Sequence, residues 1–238
     1  MDIDSIVLIA MTVIFVGSFV QSSIGFGLAI VAAPILFQVS PEYVPGPISV
    51  AGLLLASLNA LKHKENITIG GLKVAVIGRI PGSILGGMLL LYVSVNTLSL
   101  WLGVLVLIAL AISLLPFRIE PTPIRMAIAG ILSGFMGTSS GIGGPPMALL
   151  LQHQEANSLR GNLSAFFMCS SLISIAVLIC VGYFTLHHLL ISLPLLPAAW
   201  AGYRCALLCM KYISKEWIRI AALTLCLVSG ISAIYQGI

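Results

Sequence analysis

Hydrophobic residues run along this chain in long blocks, at about 5–38, 46–61, 67–93 and 97–116 and then at about 124–151, 161–183, 186–210 and 217–237, with short polar connections between them. A membrane-spanning helix takes about 20 apolar residues. The pattern therefore predicts an all-α polytopic membrane protein of seven to eight hydrophobic segments, with almost no chain left for a soluble domain.

The first block of each half is oversized. About 30 residues at 1.5 Å rise come to roughly 45–50 Å, too long for one comfortable span and too short for two. Both blocks are interrupted midway by small and polar residues, SSIGFG at 22–27 and TSSGIGGPP at 138–146, where glycine, serine and proline are poor helix formers. Two half-length helical pieces fit each block better than one helix does. Backbone that leaves the helix at membrane depth is tolerated only where it is buried in protein or lines a cavity, so the two breaks are expected to meet inside the protein. Paired breaks of this kind point to a transporter's binding site.

A constant offset of 116 residues pairs Phe19 with Phe135, Ser23 with Ser139, Gly25 with Gly141 and Gly27 with Gly143. The same offset pairs Pro81 with Pro197, Gly86 with Gly202 and Trp101 with Trp217. Glycine and proline control backbone geometry, and they recur here at corresponding places in otherwise diverged segments. The chain reads as two tandem membrane repeats, 1–116 and 117–238, within one integral membrane domain, each opening with a glycine-broken or re-entrant helix. If each broken segment crosses the membrane, the repeats share one orientation and the basic loop Lys62/Lys64 falls opposite Lys211/Lys215. If each dips in and returns, the second repeat is inverted. Then Lys62, Lys64, Lys73, Arg118, Arg125, Arg160, Arg204, Lys211, Lys215 and Arg219 fall on or near one face, and Asp2, Asp4, Glu42, His187 and His188 on the other. The positive-inside rule favours this inverted arrangement, with both termini outside a plasma or inner membrane.

Composition sharpens the class. With 59% apolar and 8% charged residues the chain is no ordinary soluble globule, in which roughly a quarter of residues are charged. The formal net charge of +4 is spread along the loops, with no basic cluster large enough for nucleic acid. Cys169, Cys180, Cys205, Cys209 and Cys226 lie in apolar segments without a CxxC pair, which argues for buried small hydrophobes over a disulfide framework or zinc site. Two aspartates precede the first apolar run where a signal peptide needs positive charge, so that run is expected to belong to the fold.

All seven carboxylates, Asp2, Asp4, Glu42, Glu65, Glu120, Glu155 and Glu216, sit in loops or at segment ends. No intramembrane proton relay is available from them, and no cofactor, metal site or enzymatic acid–base pair is expected. His153, His187 and His188 lie near interfaces, and His63 sits in a basic loop. Arg79, in VAVIGRIPGSILGG, stands about ten residues into its segment, where its repeat equivalent is Leu195. An intramembrane arginine offers a planar fork of donors for an oxyanion, or else snorkels to an interface. The breaks themselves can hold an anion, because a half-helix that starts in the membrane presents free N–H groups and the positive end of its dipole. Candidate substrate-binding residues are therefore Ser22, Ser23, Gly25 and Gly27 at the first break, Thr138, Ser139, Ser140, Gly141, Gly143 and Gly144 at the second, and Arg79. The plainer reading of such small residues is close helix packing. Asn59, Asn162, Gln21 and Gln152 are further polar candidates, and Trp101 and Trp217 have the position of interfacial anchors.

The stretches GSFVQSSIGFGLAIVAAPIL at 17–36, GILSGFMGTSSGIGGPPMALLL at 130–151 and RGNLSAFF at 160–167 resemble the TauE/SafE sulfite-exporter family, and the resemblance extends over nearly the entire chain. The first stretch departs from the family's glycine-rich version, with Leu28 and Ala29 after Gly27. The resemblance implies a membrane transporter that exports small anions such as sulfite, organosulfonates or related sulfur-containing or organic acids. The expected partners are that small anionic substrate and the lipid bilayer, with no nucleic acid. Rival readings are a channel-like anion pore, a structural scaffold and an intramembrane enzyme, the last lacking a histidine or carboxylate at the depth of the breaks.

Overall fold

The computed structural model describes residues 3–25, 27–114, 119–209 and 215–237. Asp2, Arg118 and Lys211 lie outside them, as do the side chains of Lys215, Glu216, Trp217 and Arg219. The described chain is all-helical, 86% helix with no strand. Its helices are α1 (Ile3–Ile24), α2 (Leu28–Val39), α3 (Gly46–Lys62), α4 (Ile69–Leu90), α5 (Val95–Leu114), α6 (Pro123–Ser140), α7 (Pro145–Leu151), α8 (Ala156–Cys180), α9 (Leu186–Ser192), α10 (Leu195–Cys209) and α11 (Lys215–Gly237).

Among the described residues, six stretches are long and apolar enough to span a membrane: Asp4–Ile24, Pro41–Lys62, Gly70–Leu90, Ala156–Cys180, Leu186–Cys209 and Ile220–Gly237. That is fewer than the seven to eight segments the sequence pattern suggests. The apolar stretches Leu28–Val39 and Val95–Ala111 are shorter, and glycine, serine and threonine fill the second half of α6.

The oversized blocks do not divide into halves as expected. In the first, α1 takes 22 residues and α2 takes 12; in the second, α6 takes 18 and α7 takes seven. At 1.5 Å per residue α1 is about 33 Å long, enough to cross a bilayer core unaided. After each long helix the chain doubles back: Leu28 returns to lie against Gly17, and Gly143 against Ser133 and Gly137. Gly27 at φ 129° and Gly141 at φ 80° make these reversals in backbone conformations that side chains with a Cβ rarely adopt.

Contacts between loops define two faces. On one, Glu42 ahead of α3 pairs with His187 of α9, Nε2 to Oε2 at 3.0 Å. On the other, beyond the far end of α3, the N–H of Thr68 donates to Asn162 of α8 at 2.8 Å, close to Lys62, His63 and Arg160. Burial and then the neighbouring Lys62 and Arg160 hold His63 below the ordinary imidazole range, so at pH 7 the positive charge on this face comes from lysine and arginine. From the first reversal α2 leads to the Glu42 face. From the second, α7 leads the other way, its Leu151 packing with Leu72 and Met126 at the starts of α4 and α6.

The tightest helix pair is α4 on α6, running side by side in the same direction. A Cβ added at Gly82 would fall 2.0 Å from the Ile131 carbonyl oxygen, and at Gly78 and Gly86 2.5 Å from those of Ala127 and Phe135. From the other helix, Cβ atoms at Gly130 and Gly134 would fall 2.1 and 2.3 Å from the carbonyl oxygens of Ala75 and Arg79. Lipid tails are as apolar as leucine, so association in a bilayer depends on packing of this kind rather than on hydrophobic drive. Elsewhere α10 lies on α1, α3 on α8 and α5 on α11. Gly82→Leu is expected to abolish recovery of monodisperse protein by size-exclusion chromatography in detergent. Gly70→Ala, where an added Cβ meets nothing within 4 Å, leaves that recovery unchanged.

Candidate substrate-binding site

The α4–α6 contact fixes where Arg79 can go. Arg79 is ten residues from the start of α4, about 15 Å along a helix of 22 residues, and its side chain is 3% exposed. The snorkelling alternative therefore does not describe it. Its Nη1 donates to Ser133 Oγ at 2.8 Å and its Nη2 to Ser174 Oγ at 3.0 Å. Ser133 Oγ in turn donates to the Gly143 carbonyl, and Ser174 Oγ shares a proton with Thr138 Oγ1 at 2.9 Å. The guanidinium carbon lies 5.7 Å from the centre of the Phe166 ring, a cation–π distance. A Cβ at Gly137 would fall 2.6 Å from Nη2, and one at Gly143 3.1 Å from Nη1. Glycine at these two positions gives the guanidinium its room.

Among the described residues, the hydrogen-bond partners of Arg79 are hydroxyls and none is a carboxylate, and its Nε has no hydrogen-bond partner. A buried cation is costly unless paired, and neutral hydroxyls offset that cost only in part.

Beside Arg79 is a cavity of about 70 Å³, open to both breaks. The first break contributes Gln21, Gly27 and the opening residues of α2; the second contributes Gly141, Gly143 and Gly144. The walls come from Ile48, Ser49 and Gly52 of α3 and from Phe167, Ser170, Ser171 and Ser174 of α8. Both short helices, α2 and α7, begin at this cavity and depart toward opposite faces, so the positive ends of both helix dipoles are directed at it.

The donors are fewer than two free helix starts would supply. Gln21 Oε1 accepts from the Leu28 N–H at 3.1 Å, and α7 opens on Pro145 and Pro146, which have no N–H.

Residues 9–233 match the family model described as Sulfite exporter TauE/SafE. The chain belongs to this family. It is also similar to the probable membrane transporter protein YunE of Bacillus subtilis (strain 168), 28% identical over 265 residues that cover 92% of this chain and 94% of that protein. No solved structure matches it. The family and the relative's name point to a non-enzymatic, multi-pass membrane transporter, and the helices above are consistent with that.

Of the residues singled out from sequence, Gly27, Arg79, Gly141, Gly143 and Gly144 line the cavity. Ser22, Ser23, Gly25, Thr138, Ser139 and Ser140 do not. Ser23 Oγ donates back to the Phe19 carbonyl and Ser140 Oγ to that of Met136, as helical serines commonly do. Thr138 reaches the site only through Ser174. Trp101 is no interfacial anchor: its Nε1 donates to Ser139 Oγ at 3.2 Å, and its ring meets Phe135 edge-on at 5.7 Å. Among the other polar candidates Gln21 lines the cavity. Asn59 Nδ2 donates to its own helix at Leu55, and Asn162 ties Thr68 to Gln154.

Ser133 and the α8 serines were not legible as site residues. The repeat at 170 and 174, one helical turn apart in an apolar segment, is the signal that would have found the latter.

Ser133→Ala removes an acceptor from a buried charged donor and a donor from the Gly143 carbonyl. It should destabilise the protein by about 2–4 kcal/mol, read as thermal unfolding in detergent. Ser23→Ala, which removes only a bond within its own helix, should cost less than about 0.5 kcal/mol.

Proposed function

We propose that this protein is an electrogenic carrier that exports a small oxyanion across the plasma or inner membrane. Sulfite, organosulfonates and related sulfur-containing or organic acids form the substrate class, and the anion is held in the cavity between the two glycine breaks. The observation that carries the reading is Arg79: a residue 3% exposed, halfway along a membrane helix and lining a cavity, whose hydrogen-bond partners among the described residues are hydroxyls. An anion in that cavity is the counter-charge that the described residues do not provide. The pyramidal or tetrahedral oxygens of sulfite and sulfonates match the fork geometry of arginine, and Ser174, Ser170 and the backbone of the two breaks supply further donors.

Two membrane repeats of opposite orientation, 1–116 and 117–238, supply the alternating access. The order long helix, reversal, short helix, then three further apolar helical stretches occurs twice, with α1–α2 matched by α6–α7 at the offset of 116 residues. The packing agrees with such an exchange, since α4 lies on α6 as α10 lies on α1, while α3 pairs with α8 and α5 with α11. The face with Lys62, His63 and Arg160 is cytoplasmic in this reading. Rocking of one repeat against the other then opens the midplane site to each side in turn. A membrane potential, negative inside, drives an anion outward with about 2.3 kcal/mol per charge per 100 mV, so export needs no coupling ion.

The test is flux of sulfite and sulfoacetate in proteoliposomes under an imposed potential of either sign. Wild-type protein should show flux that reverses with the sign of the potential. Arg79→Gln and Gly143→Leu, each checked for folding, should lower it at least tenfold. Flux that survives Arg79→Gln undiminished would refute the anion site, and single-channel currents would turn the reading to a pore.

A further inference from the structure

Hydroxyls on helices in this protein habitually donate to the carbonyl four residues back: Ser49 to Pro45, Ser57 to Leu53, Ser140 to Met136 and Ser192 to His188. Ser170 does not. It is 4% exposed, and its Oγ has no hydrogen-bond partner. Ser18, Ser22 and Ser83 share that condition, but of these four serines Ser170 is the one that lines the cavity. It stands one helical turn before Ser174, the acceptor of Arg79 Nη2, and Arg79, which lines the same cavity, carries the other orphaned donor, its Nε.

A buried hydroxyl left without a partner is destabilising, and two such donors in one cavity mark the place of an occupant that accepts from both. We infer that Ser170 contacts the transported anion directly, donating its hydroxyl to one oxygen while Arg79 holds another. This inference rests on the anion-carrier reading and adds to it a specific requirement. The ligand must present acceptor oxygens to both donors, one from α4 and the other from α8. The serine also joins the anion to α8, which packs on both α3 and α4, so the bound ligand adds a second tie between α4 and α8 beside the Arg79–Ser174 hydrogen bond.

Sulfite binding to the purified full-length protein in detergent tests this, by titration calorimetry and by the sulfite-dependent rise in melting temperature. Ser170→Ala should raise the sulfite Kd about tenfold, the effect of one hydrogen bond to a charged acceptor. Ser170→Thr, which keeps the hydroxyl, should bind within about threefold of wild type. Ser83→Ala, which removes an orphaned hydroxyl away from the cavity, should bind as wild type does. Without ligand, Ser170→Ala should melt no lower than wild type, because it removes an unpartnered polar group. Wild-type binding with an unchanged Kd in Ser170→Ala would overturn the inference and leave the anion-carrier reading standing. A lower melting temperature of empty Ser170→Ala, with the rise on adding sulfite preserved, would also overturn it, showing a packing role. If wild-type protein binds neither sulfite nor sulfoacetate, the anion site and the role of Ser170 fall together.

Discussion

Backbone-to-backbone contact between α4 and α6 is the constraint from which the interior of this protein follows. Helices in a bilayer gain nothing from hiding apolar side chains from lipid, so they adhere through many small dispersion contacts, each about 0.1–0.2 kcal/mol, that require close approach. Glycines at 78, 82 and 86 on one helix and at 130 and 134 on the other allow it. Arg79 lies within this seam. Its carbonyl is pressed toward Gly134, and its side chain crosses the face of Gly137 to reach Ser133 and Ser174. Any bulk added to the seam shifts the guanidinium relative to the second break, and hydrogen bonds of 2.8 and 3.0 Å do not survive a displacement of more than a few tenths of an ångström.

The chemistry around Arg79 is balanced between holding it and satisfying it. Serine hydroxyls fix the plane of the guanidinium and, through Ser133, attach it to the Gly143 carbonyl. They leave its charge in place. A carboxylate in their position would neutralise the charge and compete with any incoming anion, whereas hydroxyls leave the full Coulombic attraction available in a medium where it is strong. A carrier must also release its substrate. In the carrier proposed above, one arginine, a few hydroxyls and two helix starts with fewer donors than usual, one capped by Gln21 and the other opened by two prolines, would form a site whose attraction is not excessive.

The two halves match in backbone but differ in chemistry. Gly25 and Gly141, 116 residues apart, both take positive φ after the long helices α1 and α6, and the short helices that follow both start at the cavity. Yet the position equivalent to Arg79 is Leu195, fully buried in the apolar core. Among the described residues that line the cavity, the charge thus comes from Arg79 alone.

The all-helical membrane character of this protein, the location of both helix breaks and the place of Arg79 deep within an apolar segment were determined by sequence alone. Each rests on local composition: apolar runs near the thickness of a bilayer, residues that cannot sustain a helix, and one cation in a segment without carboxylates. The lengths on either side of each break were not legible in this way, because the same small residues permit a reversal anywhere within several positions. Tertiary packing decided that α1 and α6 run nearly full length before the chain returns. It also separated the serines of the breaks, most of which bond within their own helices, from Ser133, Ser170 and Ser174, which face the guanidinium or its cavity. Hydroxyls on an apolar helix look alike in sequence; their role depends on which neighbour the helix turns them toward, and that is set by contacts between helices far apart in the chain.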